Sequence, residues 1–222
     1  MIAGMEAGTS AGPSRQRRHT RRERESEFNR LLAFSDGVFA IAITLLVLQL
    51  EVPADSGDLA GDLEDVLPDL FAFALSFAVL GRLWWVFHHR LFSGLEEFDG
   101  RLVGLNFVYL ALVTLVPFSS DLLGDYGDHP EAVIIYAANL GLLGLVGAVM
   151  VRYAFDRGLM LQEVQQAWGP HGRPNWVLPC IFLASIPIAL VSTLAAILFW
   201  LLAGAIGLRL FQRLTGQADA GE

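Results

Sequence analysis

The chain has 222 residues, 54% of them hydrophobic, and a mean hydropathy of +0.50. Soluble domains sit nearer about 45–50% apolar, so the solvent for most of this chain is lipid. The formal charge of −8 hides a segregation, because all 15 basic residues are Arg and all but Arg82 cluster in alternate connections between apolar segments. Its single cysteine, Cys180, excludes an intrachain disulfide.

Residues 1–27 are rich in Gly, Ser and Arg, with the run Arg15, Arg17, Arg18, Arg21, Arg22 and Arg24. So polar a segment cannot bury enough apolar surface to order itself, and a disordered cytosolic tail is expected. Basic runs also occur in nucleic-acid-binding segments. Directly upstream of an apolar segment, this one reads instead as an orientation anchor touching anionic lipid, with no nucleic-acid partner.

Apolar segments follow at 34–51, 69–92, 102–123, 132–155, 176–193 and 195–212. A membrane span needs roughly 17–25 residues. The run 176–212 holds Pro179 and Pro187 and is too long for one span, so a tight hairpin marked by Ser192 and Thr193 is expected. Orientation follows Arg. Arg15 to Arg30, then Arg90 and Arg101, then Arg152, Arg157 and Arg173, then Arg209 and Arg213 occupy every second connection. The intervening ones carry Asp55, Asp58, Asp62, Glu64 and Asp65, and then Asp121, Asp125, Asp128 and Glu131, without Arg. The expected fold is therefore all-α and polytopic, with six transmembrane helices in residues 28–213, both termini cytosolic, and a disordered tail at 214–222. Val38 to Leu50 with Val52-Pro53-Ala54 also fits a cleavable signal peptide, which an intact mass would reveal.

Within the first segment, Ser35 or Asp36 suits a helix N-cap. Asp36, His88, His89 and Asn106 all fall near the cytosolic edge of three consecutive helices. Polar groups at that depth are costly unless paired. A cluster of Arg30, Ser35, Asp36, His88 or His89, and Asn106 is therefore expected to tie these helices together. Adjacent histidines point in different directions on a helix, so no metal site is expected. Ile41, Leu45 and Leu48 share one helix face with Thr44 beside them, by itself a packing or lipid face. Arg82 interrupts the second span and is read as snorkelling or pairing with the cluster. Pro117-Phe118-Ser119-Ser120 reads as a helix terminus, and Gly141, Gly144 and Gly147 as a face for close packing. No filter, nucleotide-binding or catalytic motif stands out, so neither an enzyme nor a cofactor is expected.

The opening Arg30-xxx-Phe34-Ser35-Asp36 and the stretch Gly37 to Leu48, with Trp85-xx-His88-His89-Arg90-Leu91-Phe92, Asn106 and Pro117, resemble the prokaryotic TMEM175-like potassium channel family. The resemblance is specific over the first three spans. It implies a homotetramer in the cell membrane whose first helices line a central pore for potassium ions. Ile41, Leu45 and Leu48 would then be successive hydrophobic constrictions, Ile41 innermost and narrowest, with Thr44 one turn beyond. Arg30, Phe34, Ser35 and Asp36 would be the structural motif, with His88, His89 and Asn106 as its partners. A secondary or proton-linked transporter is the alternative, and would need substrate-binding polar groups near mid-membrane.

Overall fold

In a computed structural model of the protein, residues 13–50, 57, 59–168 and 176–204 are described. Every regular element among them is helical. The first, α1, runs Pro13–Leu45 and tightens into a 3-10 turn over Leu46–Gln49. Residues 13–27, expected as part of a disordered tail, form the start of this helix. Arg and Glu are strong helix formers, and extending an existing helix carries no nucleation cost. Residues 1–12 and the expected tail at 214–222 lie outside the described residues.

The second apolar segment departs twice from regular α-helical geometry. Helix α2, Leu59–Asp65, falls inside the expected acidic loop, and α3, Leu67–Ala78, starts anew with Pro68 in its first turn, where the missing N–H costs nothing. A π-helical stretch, Val79–Trp85, then widens the turn before α4, Val86–Ser93. The third segment comprises α5, Gly100–Thr114, and α6, Val116–Asp125. Asp99 caps α5, its carboxylate accepting from Leu102 N at 2.8 Å. Pro117 stands at a helix terminus, but at the start of α6 and not at the outer end of the span as expected. It sits in the first turn of α6, so the span is kinked there and resumes.

Helix α7, Pro130–Asp156, is followed by the short α8, Gln162–Trp168, and by α9, Val177–Ala189. The last, α10, is Thr193–Gly204. The connection from α9 to α10 is a tight turn. Ser192 N donates to Ile188 O at 2.9 Å, and Ser192 Oγ accepts from Ala195 N at 3.3 Å, capping α10.

Four stretches are long and apolar enough to cross a membrane: Glu25–Gln49, Ala60–Ser93, Gly100–Asp125 and Pro130–Asp156. The helix α7 is the hub, packed on α5, α6 and α9. Its glycines allow this close approach. A Cβ on Gly141 would stand 2.6 Å from Leu183 Cδ2, one on Gly144 2.8 Å from the Trp84 ring, and one on Gly147 2.9 Å from Phe87. At the opposite end from Pro130, the connections 94–99 and 157–161 are laced together. Glu96 N donates to Leu159 O at 2.9 Å and Leu161 N to Gly94 O at 2.9 Å.

Candidate functional site

The helix α1 has two faces. Ser35, Phe39, Ala42 and Leu46, spaced four, three and four residues apart, are buried against the rest of the bundle. The opposite face is open: Ile41 is 61% exposed, Leu45 43% and Leu48 74%. Thr44, also exposed, donates its hydroxyl hydrogen to Ile41 O at 2.9 Å. Its oxygen lone pairs are thereby left facing outward. Ala33, Gly37 and Ala40 continue the open face toward the start of the segment, and a Cβ on Gly37 would meet nothing within 4 Å.

Three of the polar residues singled out from the sequence are joined in a buried chain. Asn106 Nδ2 donates to Ser35 Oγ at 3.0 Å, and Ser35 Oγ donates to Leu31 O at 2.9 Å. Asn106 Oδ1 lies 2.8 Å from His88 Nε2, so the imidazole must carry its proton on Nε2 and donate. Ser35, His88 and Asn106 are all fully buried. The ring of His88 is stacked on Phe92 at 4.3 Å and on Tyr109 at 5.6 Å, which fixes its plane. Its Nδ1 has no hydrogen-bond partner among the described residues.

The π-helical stretch explains why His88, rather than its neighbour, is the buried one. Ser76, Leu80, Trp84 and His88 are all buried at steps of four. On a regular α-helix a four-residue step overshoots a full turn by about 40°, so twelve residues would drift by about 120°. The wider π turn absorbs that drift and keeps the four on one face. Tyr109, stacked on His88, donates to Trp84 O at 3.3 Å within the widened turn.

Other members of the expected cluster are placed elsewhere. Asp36 accepts from Trp85 Nε1 at 3.1 Å, and Trp85 stacks on His89 at 5.6 Å, both contacts lying on the surface. No described hydrogen bond joins Arg30 to the buried chain. Arg30 is exposed and lines an open groove of about 460 Å³ with Glu27, Leu31, Phe34, Phe98 and Phe107. Phe34 packs its ring on Phe107 at 5.8 Å. The reach of an arginine leaves its direction open in sequence. The side chain of Arg82 lies outside what is described.

Sequence reasoning passed over a second polar network toward the other ends of these helices. Ser76 Oγ donates to Ser120 Oγ at 2.8 Å and lies 3.0 Å from the Tyr136 hydroxyl, while Ser120 Oγ donates to Ala72 O at 3.2 Å. Asn139 serves the kink. With its amide oriented to satisfy both ends, it donates to Leu112 O at 3.2 Å and accepts from Val116 N at 3.3 Å. Those are the two backbone groups that an unbroken helix would pair with each other. Gln49 reaches the same kink from α1, its Nε2 donating to Pro117 O. Hydroxyls and amides inside apolar spans were the available signal for all of these. Among the described residues, no three His, Cys, Asp or Glu side chains are grouped for a metal ion.

The connections between spans hold one further linked group. The Tyr153 hydroxyl donates to Asp99 Oδ2, and this bond first, with the α5 backbone and the charge of Arg157, holds the Asp99 carboxyl below its ordinary value. Arg157 also lies over the Tyr153 ring, 5.7 Å from its centre.

Residues 30–117, which take in Arg30, the Ser35–Asn106–His88 chain and the Pro117 kink, match the family model described as endosomal/lysosomal potassium channel TMEM175. A potassium channel of Chamaesiphon minutus is 41% identical over 132 residues, covering 58% of this chain and 64% of the relative. A potassium channel of Streptomyces collinus is 42% identical over 122 residues, covering 53% of this chain and 58% of the relative. The matches thus span less than two thirds of either relative's length. The crystal structure of a lysosomal potassium-selective channel TMEM175 homolog from Chamaesiphon minutus overlays with a TM-score of 0.66 at 34% identity. With 83% of this chain and 98% of that one in register, the chain belongs to the TMEM175 family.

Proposed function

We propose that the protein is a potassium-permeable cation channel of the cell membrane, formed by four copies around the open face of α1. The observation that carries this reading is the face itself. Of the four long spans, Glu25–Gln49 is the least enclosed by its own chain, with 22% of its apolar window buried against 61% for Pro130–Asp156. A face looking only at lipid would have no use for small side chains. Ala33, Gly37, Ala40 and Thr44 instead suit helices that approach each other closely. On this reading α9 and α10 complete six spans and both termini are cytosolic, as the alternation of Arg requires.

The pore chemistry follows from the side chains. Rings of Ile41, Leu45 and Leu48 offer an ion nothing to replace its hydration shell, so the path conducts only while wet and closes by dewetting. Thr44 Oγ1, its proton engaged by Ile41 O at 2.9 Å, presents lone pairs one turn beyond Ile41 and gives a partly dehydrated cation an acceptor there. Potassium sheds water more readily than sodium and passes the narrow ring at lower cost. The acidic connections Asp62 to Asp65 and Asp125 to Glu131 concentrate cations at the outer mouth, over about 8 Å at physiological salt. Membrane lipid and the other three copies are the only further partners this mechanism needs.

The test is current from purified protein in planar bilayers. Wild-type protein should carry potassium in preference to sodium, and Ile41→Asn should raise conductance and narrow the discrimination. Unchanged currents in Ile41→Asn remove that residue from the path. Saturable flux coupled to a second ion would replace the channel with a carrier.

A further inference from the structure

The open face of α1 does not keep one helical geometry along its length. Up to Leu45 it is α-helical, and Leu46–Gln49 form a 3-10 turn. A 3-10 helix turns about 120° per residue against about 100° for an α-helix. Over the three residues that lead to Leu48 the difference is roughly 60°. The direction of Leu48 relative to Ile41 and Thr44 therefore depends on how tightly the last turn is wound.

Two contacts hold that turn. Leu46 is fully buried on one side, packed where the turn meets α3 and α6. One 3-10 turn further on, along the same face, Gln49 donates to the carbonyl of Pro117, 68 residues away in sequence. The acceptor is itself fixed, because the kink around Pro117 is bridged by Asn139 at 3.2 and 3.3 Å. Ser35 and Asp36 tie α1 to other helices at one end of the open face, and Gln49 does so at the other.

Given the channel reading above, we infer that Gln49 is a positioning residue for the outer end of the pore. By tying the 3-10 turn to the kinked third span, it sets the direction of the Leu48 ring independently of Ile41. Gln49 need not touch the ion. Its amide decides whether Leu48 faces the axis or rotates away as the turn relaxes toward α-helical geometry.

The experiment uses the full chain with Cys180→Ser in lipid vesicles and a water-soluble, membrane-impermeant methanethiosulfonate reagent. Leu48→Cys and Ile41→Cys report each ring separately, each with native Gln49 and with Gln49→Met or Gln49→Glu. Met keeps the length and Glu the shape, and both lose the donor. Loss of one hydrogen bond shifts a two-state turn by roughly fivefold. The modification rate of Leu48→Cys should therefore change about that much in both backgrounds, with the rate of Ile41→Cys unchanged. Equal Leu48→Cys rates with and without the amide overturn the inference, as does a parallel change at both cysteines, which would mean general loosening. A Leu48→Cys that never reacts while potassium current persists overturns it as well and leaves the channel standing. No reaction at either cysteine and no current removes the pore reading beneath it.

Discussion

Asn106 offers the sharpest energetic test, because its two partners differ in what they lose. When Asn106→Leu removes the amide, Ser35 Oγ keeps its bond to Leu31 O at 2.9 Å and forfeits only an accepted bond. His88 fares worse. Its Nε2 loses the 2.8 Å contact and its Nδ1 already lacks a described partner, so a fully buried ring is left with both nitrogens bare. An unsatisfied buried donor costs about 1–3 kcal/mol in water-soluble proteins. Interhelical bonds within membranes average about 0.6 and reach about 1.7 kcal/mol. The pair His88–Asn106 should therefore show a coupling of about 1–2 kcal/mol, and Ser35–Asn106 about 0.5 kcal/mol or less. Denaturant unfolding in mixed micelles of Asn106→Leu, His88→Phe and their combination measures the first. Ser35→Ala with Asn106→Leu measures the second. The combination of His88→Phe and Asn106→Leu should cost clearly less than the sum of the two, since it leaves no orphaned group. Additivity within about 0.5 kcal/mol would refute the claim that this bond ties α4 to α5.

Two helical glycines, Gly141 in α7 and Gly104 in α5, give a contrast by the same unfolding assay. Gly141→Ala would set a Cβ 2.6 Å from Leu183 Cδ2 and should cost about 1–3 kcal/mol through overpacking. Gly104→Ala, whose Cβ meets nothing within 4 Å, should be neutral or stabilising by up to about 1 kcal/mol. Acid stability should report Asp99. Because Tyr153 lowers the Asp99 carboxyl from its ordinary 3.8, folding is favoured by the ionised form; this contribution is complete above that value and fades as pH falls through the lower folded one. Asp99→Asn should flatten that part of the pH profile below about 4, and an unchanged slope would show that the bond contributes nothing.

The sequence makes the spans and the last hairpin legible because hydropathy and turn chemistry are local. Ser192 caps α10 at the one point where the long apolar run offers a polar pair, and glycines spaced three apart open α7 to its neighbours. Polar residues inside apolar segments are legible in a weaker sense. They must pair, so Ser35, His88 and Asn106 can be listed together, but their geometry depends on helix phase. The π-helical stretch Val79–Trp85 resets that phase and decides that His88 is buried while His89 lies on the surface against Trp85. No residue pattern announces such a stretch, since it is settled by packing around Trp84 and Tyr109. The kink at Pro117 shows the same limit. Proline fixes where the backbone bond is missing, whereas the replacements, Asn139 and Gln49, come from other helices and become visible only in three dimensions.

The polar ties divide the molecule into parts of unequal firmness. Spans two, three and four are bound by the Ser76–Ser120–Tyr136 group, by Asn139 across the kink and by glycine contacts along α7. The first span has apolar contact along one face and polar ties near its two ends, and 22% of its apolar window is buried against 31%, 39% and 61% in the next three. A helix held at its ends and free along its open face has a low-energy way to change: a small rotation between the ties, which alters side-chain direction without breaking either. In the proposed tetramer such a rotation carries Ile41, Thr44 and Leu45 together. Leu48 lies beside the outer tie and follows only if the 3-10 turn unwinds. The inner rings and the outer ring would then open by separate motions, one driven by helix rotation and the other by the bond from Gln49 to Pro117.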